Sequence, residues 1–173
     1  MKARKTVLAF ILVLALILSL GVSAFAAKGS KAAYATTAAF LKVLDEEGIK
    51  YENNGIDEDE DEYIYCAFDE DNMKDIEVNI YFNKDLDSVS MRVWNVIDFD
   101  KRDLADVLAL VNDINNAYKY VTFTVDLTDY SITAKLDAPL RDCEEAGEIA
   151  FDGLWYIVKI CDEAYPELEF YAK

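Results

Sequence analysis

The sequence contains no histidine at all. The usual general base of acid–base catalysis is therefore missing, and with it the Ser-His and Cys-His nucleophile pairs and every histidine-based metal site. There is no glycine-rich phosphate loop either. Carboxylate-pair chemistry is what remains, but 34 acidic residues bring some pair together in any fold, and glycoside hydrolysis needs a cleft with a defined carboxylate separation. The chain reads as a non-enzyme with no catalytic residue, no cofactor and no metal site.

Cysteine is also scarce. Three cysteines, Cys66, Cys143 and Cys161, are an odd number and argue against a disulfide framework. If Cys143 and Cys161 share one helix, about 27 Å of helical rise separates them, well beyond disulfide reach. A bridge from Cys66 to either remains open, with small buried hydrophobes as the alternative reading of all three.

Basic residues are outnumbered, 17 Lys and Arg against 34 Asp and Glu, for a net charge of −17. Such a surface repels nucleic acid and anionic lipid. Three of the cations, Lys2, Arg4 and Lys5, precede an apolar run from Val7 to Val22 and the small residues of Ala24-Phe25-Ala26. That is the pattern of an export signal over residues 1–26. An uncleaved anchor is the alternative, because the run is close to the ~20 residues that span a bilayer. Both readings put the rest of the chain outside the cytoplasm, either secreted or in the cell envelope. Removal of the signal would take the charge to about −20. The expected organisation is a signal over 1–26, a flexible tether over 27–36 and one domain over 37–173.

Periodicity supplies the elements. Phe40, Leu41 and Leu44 form the stripe of a first helix beginning between Tyr34 and Thr37, capped by Thr36 or Thr37 and stopped by Gly48. Asp57 to Glu62 are six consecutive acids, expected as a solvated loop. Read as a calcium loop they fail the EF-hand pattern, since the required glycine falls on Glu62 and the bidentate Glu on Phe68. Diffuse attraction of cations is the bland alternative. Ile64, Cys66 and Phe68, then Ile76 to Phe82, then Val89, Met91 and Val93 alternate as three strands of an antiparallel meander.

Asp100 should cap a second helix carrying Leu104, Val107, Leu108, Val111, Ile114 and Tyr118 on one face. Two more strands follow, around Val121 to Val125 and Tyr130 to Leu136, joined by a turn at Asp126-Leu127-Thr128-Asp129. The last helix should start near Asp142 with Glu145 in a capping box and end at about Ala164, before Pro166. The predicted class is α+β: a five-stranded antiparallel sheet with helices on one face, in the order α-β-β-β-α-β-β-α.

Particular residues then carry a resemblance. Leu110-Val111-Asn112-Asp113-Ile114-Asn115 ahead of Val121-Thr122-Phe123, Cys161-Asp162-Glu163-Ala164-Tyr165-Pro166-Glu167-Leu168, and Gly48-Ile49-Lys50-Tyr51 together resemble the YbjN-domain family over Thr37 to Leu168. The resemblance implies a fold similar to type III secretion chaperones, in a family of candidate sensory transduction regulators with no established enzymatic activity. It carries over no catalytic residue. Asn112 and Asn115 are expected to bond the loop into Tyr120. The export signal and the acidic loop depart from the family pattern.

The leading functional expectation is a binding or chaperone-like module for a peptide or protein. The candidate partner surface comprises Tyr63, Tyr65, Tyr81, Trp94 and Tyr120, in phase with the uncovered sheet face, and the pair Phe151 and Trp155 on the last helix. The alternatives are that the sheet rings merely pack across strands, and that the helical pair wedges under the first helix. A cation-responsive envelope protein using the acidic loop 57–62 is the second expectation, and homodimerisation, which type III chaperones use, a third.

Overall fold

Alternation of apolar and polar residues builds a sheet with one buried side. The computed structural model describes residues 31–140 and 144–173. In chain order the elements are α1 (Ala35–Glu47), β1 (Glu52–Ile56), β2 (Glu62–Phe68), β3 (Ile76–Phe82), β4 (Ser88–Asp98), α2 (Leu104–Ala117), β5 (Thr122–Asp126), β6 (Ser131–Pro139) and α3 (Ala146–Leu168). All strand pairs are antiparallel, in the spatial order β1-β2-β3-β4-β6-β5. Ile64, Val78, Ile80, Met91, Ile132 and Ala134 are fully buried in one core with Phe40 and Leu44 of α1, Val107 of α2 and Ile157 of α3. Burying such side chains contributes about 1.5–3 kcal/mol each.

The fold class is α+β with three helices, but the sheet has six strands rather than five. The additional strand, β1, reads Glu-Asn-Asn-Gly-Ile and lacks any apolar alternation. Its pairing with β2 is broken by a bulge between Asn53 and Gly55, where the Asn53 side chain accepts from the Gly55 N–H at 2.8 Å.

The acidic run also departs from expectation. Its last member, Glu62, is fully buried. The carboxylate accepts from the main-chain N–H groups of Ala33 and Tyr34, each at 2.8 Å, and from the Asn53 amide at 3.0 Å. Helix α1 therefore receives its N-terminal acceptor from β2. Thr36 and Thr37, expected as caps, are buried with their hydroxyls unpaired, while Tyr34 holds the cap position with no side-chain cap bond, its hydroxyl donating instead to the Glu60 carbonyl at 2.6 Å. Ala35 and Thr36 belong to the helix and not to the tether expected over 27–36. At the other end Gly48 adopts φ 70° and closes α1 as the sequence indicates.

Helix α2 follows a single 3-10 turn at Lys101–Asp103, and Asp100 makes no side-chain cap bond there. Val107, Val111 and Ile114 face the core, whereas Leu108 is 48% exposed. Asn115 does not bond the loop into Tyr120. Its amide pairs with both main-chain groups of Phe123 instead, donating to the carbonyl at 2.9 Å and accepting from the N–H at 2.8 Å. The free edge of β5 is thereby covered at Phe123.

Helix α3 runs through Pro166 to Leu168 instead of stopping at Ala164. A Cβ at Gly147 would lie 2.6 Å from the Ala39 carbonyl oxygen, so this glycine is what lets α3 approach α1. The Asp142 cap and Cys143 fall outside the described residues, as do the signal segment 1–26 and the start of the tether. Glu145 precedes the helix without a side-chain cap bond. Among the described residues, no helix is long and apolar enough to cross a membrane.

Candidate functional site

The sheet leaves one face without helices, and cross-strand register decides what meets there. Tyr63 and Tyr81 are direct partners of β2 and β3. Their rings stack with centroids 5.1 Å apart and planes 14° apart, and the Tyr63 hydroxyl donates to the Asn79 side chain at 2.6 Å. One pair along, Tyr65 faces Asn79, which faces Arg92, which faces Lys135. Burial, then a hydrogen bond to Glu77 and that residue's charge, push the Tyr65 phenol up to about 12. Arg92 donates to the Asp137 carboxylate at 2.7 Å. Burial works to raise the Asp137 carboxyl, but hydrogen bonds from Ser90 and Arg92, with the guanidinium's charge, outweigh it and hold it below its ordinary value. The three tyrosines are half-buried, and Tyr63 and Tyr81 pack across strands as adjacent rings on a sheet do.

Trp94 is separate from them. It lies four positions beyond Ser90, the partner of Tyr81, or about 13 Å along β4. It occupies an irregular stretch between Val93 and Ile97 next to Asn95, whose φ is 50°, and is 50% exposed.

Tyr120 joins a different group. Its backbone is left-handed, φ 71°, and β5 begins only at Thr122, so strand alternation does not set its direction. Its ring packs 4.9 Å from that of Tyr156 on α3. The same helix carries Phe151 and Trp155 in an edge-to-face contact at 6.2 Å and 87°. Trp155 also meets Phe68 at the end of β2, again at 6.2 Å. Trp155 does not wedge under the first helix, whereas Phe151 is partly buried against the core. Helix α1 meets α3 at Gly147, about 12 Å of rise earlier, and Trp155 remains 45% exposed.

The structure thus divides the predicted residues into the tyrosines of the sheet face, an isolated Trp94, and an aromatic band across α3. Tyr156, also 45% exposed, was not singled out from sequence. The available signal was its position beside Trp155, off the apolar stripe of a helix whose other exposed residues are charged apart from Pro166.

The chemistry open to the described cysteines and acidic clusters is narrow. Cys66 and Cys161 are buried free thiols. Burial pushes Cys66 up to about 12 and Cys161 higher still, which leaves neither as a thiolate nucleophile. Among the described residues there is no group of three or more His, Cys, Asp or Glu able to hold a metal ion. In the acidic turn, Asp57 accepts from the N–H groups of Asp59 and Asp61, each at 3.0 Å, and Glu60 pairs with Lys84.

No protein-family model matches the chain, and no curated protein matches it. Solved structures that match include a crystal structure of YbjN from E. coli, described as a candidate transcription regulator. It is 11% identical, with a TM-score of 0.50, and the match covers 74% of this chain and 90% of that one. The likeness is one of architecture, and it gives the chain a YbjN-like α+β fold.

Proposed function

We propose that this chain is an exported, strongly acidic, non-enzymatic binding or chaperone-like module that engages a peptide or protein through its surface aromatics. The observation that carries this reading is Trp155, an indole 45% exposed yet held between Phe68 and Phe151 on a 23-residue helix. A large ring already fixed by its neighbours loses little conformational freedom when a partner covers it. Tryptophan and tyrosine in such positions dominate binding energy at interfaces. The absence of histidine and the deep burial of Cys66 and Cys161 support a role without catalysis. The basic, apolar and small-residue pattern of residues 1–26 supports export.

The test is saturable capture of a polypeptide from the envelope fraction by the purified protein, repeated with Tyr81→Ser, Trp94→Ser and Trp155→Ser. A partner that saturates and is lost with at least one of these variants is the expected result. Absence of any saturable polypeptide partner overturns the reading. Cell fractionation with intact-mass measurement tests export, with the protein expected outside the cytoplasm and about 26 residues shorter if the signal is removed.

A further inference from the structure

We infer that the aromatic band of α3 docks a cationic amphipathic segment of a partner polypeptide. The inference rests on the binding-module reading and specifies its site and partner chemistry. Phe68, Phe151 and Trp155 form one end of the band and Tyr156 with Tyr120 the other, the two ends meeting at the adjacent positions Trp155 and Tyr156. Trp155, Tyr156 and Tyr120 are 45%, 45% and 68% exposed, so the two ring clusters present aromatic surface from neighbouring outward positions of a helix otherwise bordered mainly by charge. Connected exposed aromatic surface marks an interaction site more often than scattered single residues do.

Charge selects the occupant. Along the outward face of α3, Glu148 and Asp152 lie on the N-terminal side of Trp155 and Glu163 on its C-terminal side, all exposed. The helix's own cation there, Lys159, is drawn to Glu163 at 3.6 Å. Beyond Phe68 the chain continues into Asp69, Glu70 and Asp71, and the Glu70 carboxyl is raised by burial and by the charges of Asp162 and Asp71. Three cations interrupt this acidic border: Lys74, which donates to the Glu70 carbonyl, Lys159, already drawn to Glu163, and Lys119 next to Tyr120; the carboxylates still outnumber them. A second copy of the chain would bring the same carboxylates against themselves, with a net −17 on each molecule, and a polyanion would be repelled. A helix with leucine-like side chains on one face and Lys or Arg on the other satisfies both features. Its apolar face covers Trp155 and Tyr156, and its cations reach the flanking carboxylates and the ring faces.

The chain contains two tryptophans, so Trp94→Phe in the full chain leaves Trp155 as the only indole reporter. The probe is a synthetic 18-residue helical peptide with Leu on one face and Lys on the other. The comparisons are the same peptide with Glu for Lys and a scrambled Lys/Leu sequence. The Lys peptide is expected to shift Trp155 emission to the blue in a saturable way. Tyr156→Ser, and Trp155→Ser followed by anisotropy of labelled peptide, are expected to weaken binding at least about tenfold. Tyr120→Ser, at a position 68% exposed, serves as the weakening variant if either of those fails to fold.

Equal binding of the Glu or scrambled peptide, or no saturable shift, overturns the inference. So does a dimer by light scattering with Trp155 shielded, which would make the occupant a second copy. Binding lost with Tyr81→Ser but intact with Trp155→Ser overturns it while leaving the binding-module reading in place. Failure of both the peptide and every envelope polypeptide to bind removes both.

Discussion

Asn72 donates from its side-chain amide to the main-chain carbonyl of Asp162, 3.2 Å away, the very carbonyl that Pro166 leaves without a helical donor four residues later. The Asp162 carboxylate accepts in return from the N–H groups of Asn72 and Met73, at 2.7 and 2.9 Å. The loop between β2 and β3 and the last turns of α3 are thus tied together by residues 90 apart in sequence. This exchange lets the helix continue through a proline.

The coupling between Asn72 and Pro166 is measurable. Asn72→Ala is expected to destabilise the protein by about 1–2 kcal/mol through its lost hydrogen bonds. Pro166→Ala restores a main-chain donor to the Asp162 carbonyl, so the cost of Asn72→Ala should be smaller in that background. A double-mutant cycle by urea denaturation checks this. Strict additivity of the two substitutions would refute the compensation.

Glu62 should be the most sensitive acid of the run Asp57 to Glu62. Its replacement by Ala removes the acceptor shared by the Ala33 and Tyr34 N–H groups and the Asn53 amide, and a hydrogen bond to a charged group contributes roughly 1.5–3 kcal/mol. A loss of about 2–4 kcal/mol is expected, with faster hydrogen exchange in the first turn of α1. Glu62→Gln keeps one acceptor oxygen and should lose less. Replacing the neighbouring exposed Asp59 by Ala should change urea stability by under about 0.5 kcal/mol.

These two residues explain what the sequence could and could not disclose. Strands β2, β3 and β4 were legible because Ile64, Cys66, Ile76, Val78, Ile80, Phe82, Val89, Met91 and Val93 alternate into one core, and a period of two needs no tertiary information. Strand β1 has no such period, because Asn53 enters the interior through its hydrogen bond to Glu62 and not through apolar burial. Glu62 reads as solvated because its partners lie just ahead of α1 and on β1, and Pro166 reads as terminal because its compensating donor is Asn72. The candidate site divides in the same way. Tyr63 and Tyr81 followed from strand phase, while Tyr120 turned to α3 through a left-handed residue that periodicity cannot see. Tyr156 acquires its meaning only from the ring it meets across space.

Asn115 predicts a change in association. With Asn115→Ala the outward N–H and C=O of Phe123 lose both partners, and β5 becomes an edge open to pairing with another chain. A loss of about 1–2 kcal/mol is expected, together with concentration-dependent oligomers by light scattering. Asn112→Ala should leave the edge covered and the particle size unchanged. Oligomers formed equally by both variants would show that edge exposure is not their cause.

The pH dependence should report on Asp137. Its carboxyl is held below the ordinary value by Ser90 and Arg92 despite burial working the other way. A depressed folded-state value means that the folded form binds fewer protons than the unfolded one near the ordinary carboxylate value of about 3.9. The stabilisation is therefore present at neutral pH and is lost as pH falls through the lower folded value. Asp137→Asn removes this charge, so the wild type should exceed the variant in urea stability above about pH 5, with the gap closing as the solution is acidified below about pH 4. Because Arg92 also donates to the carbonyls of Met91 and Leu136, the guanidinium should keep its place in the variant. A gap that stays constant across this pH range would show that the charge of Asp137 contributes nothing to stability.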